Sequence, residues 1–151
     1  MGIKISGIKE TVQYLKEETE KVMELIVEGF AEIGERVVQG IIDGELSNWN
    51  DQTGNLRSSI GYIVTVDGQI RKEGGFEQFA DTGIGSSAGR AYAYSMSSSY
   101  PKGIALIIVA GMEYAAYVEA MENKTVLAQG SLEAEKLIDE LTRKLNQQYS
   151  T

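Results

Sequence analysis

Apolar residues recur along the first third of the chain at Ile8, Val12, Leu15, Val22, Ile26, Phe30, Ile33, Val37 and Ile41, in steps of three and four, with Thr19 filling one polar step. That period is the stripe of an amphipathic helix and predicts one long helix over residues 5–43. At 1.5 Å per residue it would run for roughly 55–60 Å, longer than a compact domain of this size is wide, so part of it is expected to project or to pack on another subunit. Glu17 with Lys21 and Glu32 with Arg36 support the helix, while Glu20, Glu24, Glu28 and Glu32 form a like-charged row that reads as a solvated face. Gly29, Gly34 and Gly40 weaken it, and a bend near Gly34 is expected.

The pattern then changes. The polar run Ser47-Asn48-Trp49-Asn50-Asp51-Gln52 separates the long helix from Thr53-Gly54-Asn55-Leu56-Arg57-Ser58-Ser59-Ile60. This segment reads as a short helix capped by Thr53, with Leu56 and Ile60 one turn apart. β-branched residues from Ile60 to Val66, an Asp67-Gly68 pair suited to a type I′ turn, and a return over residues 69–73 predict a hairpin broken by Gly74-Gly75. The Gly-, Ser- and Ala-rich stretch that follows reads as a mobile loop through Gly89, then a short helix over residues 91–98 stopped by Pro101. Ile104-Ala105-Leu106-Ile107-Ile108-Val109-Ala110 is uninterrupted and apolar, the pattern of a central strand buried on both faces.

Gly111-Met112-Glu113-Tyr114-Ala115-Ala116-Tyr117-Val118-Glu119 reads as that strand turning sharply into a helix. A last helix is expected from a Ser131 cap, with Leu132, Leu137, Ile138, Leu141, Leu145 and Tyr149 as its stripe and Lys136, Arg143 and Lys144 toward the end where the dipole favours cations. The sum is a single α+β domain over residues 1–151: a long N-terminal helix (5–43), then a body (53–149) with a small, mainly antiparallel sheet, short helices and a C-terminal helix.

Composition removes chemistry more than it adds any. The chain has 151 residues, no His and no Cys, which excludes imidazole bases, thiolate nucleophiles, disulfides and most zinc, copper or haem arrangements. Its net charge of -8 disfavours a phosphate-neutralising surface. No run reaches the 18–20 or so apolar residues of a membrane helix, and none follows Lys4 as a secretory signal would require, so a soluble protein made in a cytoplasm is expected.

Three patterns invite a chemical reading and fail on detail. Gly83-Ile84-Gly85-Ser86-Ser87-Ala88-Gly89-Arg90 resembles a phosphate loop, but its glycine spacing is wrong, and Arg90 and Ala91 stand where Lys and Ser or Thr are required. Asn48, Asn50 and Gln52 alternate like calcium ligands without the loop's Gly and closing Glu. Ser58 and Ser59 have no His to activate them. No catalytic, cofactor or metal residue is therefore assigned. Trp49, Tyr114 and Tyr117 are candidates for interface anchoring, since buried aromatics dominate binding energy between partners.

Residues 53–60 and 111–119, with a long helix before them, a hairpin between them and a terminal helix after, resemble the head-tail joining proteins of long-tailed bacteriophages, the neck or tail-completion family of minor tail components. The family's Thr-Gly-x-Leu-Arg-x-Ser-Ile and Gly-x-x-Tyr-Ala-x-Tyr-Val-Glu cores both match here in order, and the likeness runs from about residue 5 to 148. Residues 120–127 lack the family's Gly-rich turn and Pro-Phe approach, and the segment from Phe76 to Tyr100 is expanded. The resemblance implies a non-enzymatic virion component without cofactor or metal, made in the bacterial cytoplasm. It would form a homo-oligomeric ring at the head-tail junction, between the connector or head-closure protein and the tail tube or tail terminator, through which double-stranded DNA passes without sequence-specific contact. It further implies that Leu56, Ile60, Tyr114 and Val118 seat the short helices on the sheet, that Arg57 and Glu119 set subunit geometry, and that Trp49, Thr53, Gly111 and Tyr117 belong to the same scaffold. A cytoplasmic adaptor, dimeric through residues 8–41 and without catalytic activity, is the alternative.

Overall fold

In a computed structural model the described residues are 2–6, 20–46, 54–111 and 127–149. They form β1 (Gly2–Ser6), α1 (Glu20–Asp43), α2 (Asn55–Ser58), β2 (Ile60–Val66), β3 (Gln69–Gly75), α3 (Ile84–Ser97), β4 (Ile104–Ala110) and α4 (Ala128–Tyr149). The sheet has the order β1-β4-β2-β3 and every pairing in it is antiparallel. The expected α+β class is therefore found, with a helix of 24 residues ahead of the body and one of 22 at its end.

Alternation along β2 and β4 sends side chains to two different cores. Tyr62, Val64, Val66, Ile104, Leu106 and Ile108 face α1 and α4, whereas Ile63, Ala105, Ile107 and Val109 face α3. Both strands are buried along their whole length, so the apolar run of β4 was rightly read as central. Asp67 and Gly68 both take positive φ, 50° and 81°, as a type I′ turn demands.

Against the larger face, α1 buries Val22, Ile26, Val27, Phe30, Ile33, Val37, Val38, Ile41 and Ile42. Each such side chain, once removed from water, stabilises the fold by about 1.5–3 kcal/mol. Glu24, Glu28, Glu32 and Glu35 are exposed, Glu24 and Glu28 toward Arg71 and Lys72 of β3 and Glu35 beside Tyr62. Ile41 packs over Gly130 of α4 and Leu141 of α4 over Gly29, so small residues let the two helices approach closely.

Several expectations need correction. Ile5 and Ser6, expected to open the long helix, belong to a strand paired with β4; the described helix begins at Glu20, and residues 7–19 lie outside the described residues. Ile3 and Ile5 alternate with Lys4 in the period of a strand, a signal too short to have been read as one. Because α1 covers its stripe with the chain's own sheet and α4, its described part does not need a second subunit to bury it. The helix continues through Gly34, whose missing side chain makes room for the Tyr62 ring, the nearest atom of which would lie 2.6 Å from a Cβ.

β3 continues through Gly74 and Gly75 instead of breaking there, because they pair with Tyr62 and Gly61. Of the stretch expected to be a loop through Gly89, residues 76–83 are irregular, but 84–89 are the first turns of α3, which ends at Ser97. α4 starts at Ala128, ahead of Ser131, and Leu132 lies outside the buried stripe at 68% exposure, while Ala134, Ile138 and Leu145 are buried.

Candidate functional site

The segment carrying the first half of the family resemblance is a tight buried corner. Gly54 caps α2 with φ 83°, and its bare Cα lies against the Phe79 carbonyl, so any side chain there meets both a strained backbone and a clash. Thr53, expected as the cap, lies outside the described residues, and among those described the N-cap position is held by Gly54. α2 is a single turn. Leu56 and Ile60 are fully buried against the α1 side of the sheet, as expected, but Ile60 already belongs to β2.

Both serines of the corner are spent on the backbone. Ser58 Oγ donates to the Gly54 carbonyl at 2.6 Å and accepts from the Phe79 N–H at 2.7 Å; Ser59 Oγ donates to the Leu56 carbonyl at 2.7 Å. Both are completely buried. Hydroxyls held this way tie a loop and a turn together and offer no nucleophile. Arg57, half-buried, occupies the last turn of α2, where a cation suits the helix dipole.

The second half of the resemblance enters this same corner. The Gly111 N–H donates to the Ser59 carbonyl at 3.1 Å, and Ile60 sits opposite Ala110 in the ladder. Gly111 also lies against Gly89, while Gly85 and Gly89 of α3 lie against the Asn55 and Ser59 carbonyls. Gly111, the first residue of the second motif, thus closes on the first motif, with α3 packed against it at Gly89. Tyr114, Tyr117, Val118 and Glu119, like Trp49, fall outside the described residues.

The glycines of the phosphate-loop-like run have a different use. Ser87 N–H donates to the Gly83 carbonyl at 3.0 Å within the first turn of α3, and Gly85 and Gly89, four residues apart, form the side that packs on α2 and the start of β2. Their spacing, continued by buried Ala93, was the signal that the sequence reading passed over.

Two further features were not foreseen. Phe76 follows β3 with φ 56° and buries its ring against Gly61 and Gly89, under the Arg90 guanidinium 5.5 Å from its centre. Between α1 and β3 lies a cleft of about 200 Å³ lined by Glu24, Val27, Glu28, Arg71 and Lys72. Among the described residues no cluster of acidic side chains is arranged to hold a metal, and no helix is long and apolar enough to cross a membrane.

No protein-family model, curated protein or solved structure matches this chain.

Proposed function

We propose that this chain is a structural, non-enzymatic component of the head-tail junction of a long-tailed bacteriophage, assembling as a ring between the connector or head-closure protein and the tail tube or tail terminator. The observation that supports the reading is the bond between Gly111, which opens the second motif, and Ser59 of the first at 3.1 Å. Motif residues spent on a buried corner set the shape of a subunit, and a subunit that must repeat around a ring needs a fixed shape. The exposed carboxylates of α1, in a chain of net charge -8, suit passage of double-stranded DNA without adhesion.

Gold-labelled antibody to this chain, applied to intact virions under the electron microscope, is expected to mark the neck. Purified protein is expected to give closed rings by negative staining and native mass spectrometry. Virions without label at the neck would end this reading.

A further inference from the structure

We draw no further inference here: the strongest candidate, the apolar surface that Phe79, Ile84 and Tyr94 expose on the α3 side of the sheet, carries nothing because nothing in the structure shows what covers it.

Discussion

The two faces of the sheet are made by the same strands and packed by opposite means. On the α1 and α4 side, branched and aromatic side chains from Val22 to Leu145 fill one large core. On the α3 side the core is small, and glycines bring backbone directly against backbone. The first arrangement tolerates imprecision in angle, because side chains can repack around a lost methylene. The second fixes the position of α3 to within a van der Waals contact, and with it the place of the Phe79 loop. One face stabilises the domain; the other fixes where α3 sits, which is the kind of geometry the proposed assembly would need.

The largest expected effect is on the large core. Ile41 is fully buried and packs against Gly130. Ile41→Ala leaves a cavity between α1 and α4 and is expected to lower stability by about 2–5 kcal/mol in denaturant titration. If the chain assembles as proposed, ring formation measured well below the melting temperature should survive, because the altered side lies away from α3. If assembly fails while the fold persists, the division of labour between the faces is wrong.

A single added methyl probes the other face. In Gly89→Ala the new Cβ would meet the Ser59 carbonyl and lie 2.8 Å from a Phe76 ring carbon, and neither atom belongs to a flexible side chain that could swing away. The substitution is expected to cost about 1–3 kcal/mol although alanine is the better helix former by about 1 kcal/mol. It should also weaken assembly more than Ile41→Ala does. A stabilised variant with normal rings would show that close backbone packing is not what holds α3.

The same contrast explains what could be read from the chain. Strands β2 and β4, the turn at Asp67-Gly68 and the buried positions of α1 were legible because burial of large side chains leaves a period in the sequence. α3 was taken for a loop up to Gly89 because its contacts are made by residues without side chains, which leave no apolar period behind. β1 was missed because it is only five residues long and its partner, β4, lies about a hundred residues away in the chain. Within the candidate site, the apolar character of Leu56 and Ile60 marks them for burial, whereas the bonds joining Ser58 to Phe79 and Ser59 to Gly111 pair residues distant in sequence that no local pattern marks.

A smaller effect of opposite sign is expected at Thr65. Its side chain lies on the α3 side of β2 beside the bulge, is completely buried, and its hydroxyl has no hydrogen-bond partner. A buried hydroxyl without a partner carries a desolvation cost, and valine keeps the branched shape at Cβ. Thr65→Val is expected to stabilise by about 1 kcal/mol in denaturant titration. A destabilised variant would mean that this hydroxyl is satisfied in solution and that the small core is better matched than its packing suggests.

The mildest test concerns the α1 face and vanishes at neutral pH. Tyr62 fits its ring into the space left by Gly34 and Gly74, and its phenol is pushed up from 10.0 to about 12, first by burial and then by the negative charge of Glu35, to which it is also hydrogen-bonded. The fold therefore holds the neutral phenol more firmly than the unfolded chain does. Its contribution is complete below pH 10 and is lost as pH rises toward about 12, because the unfolded chain gives up the proton first. Stability of the wild type measured from pH 8 to 12 should fall across that window, and Tyr62→Phe should fall less steeply there while matching the wild-type slope from pH 8 to 9. Equal slopes throughout would place the phenol in contact with water, and the large core would then be open at the edge where Tyr62 meets Glu35.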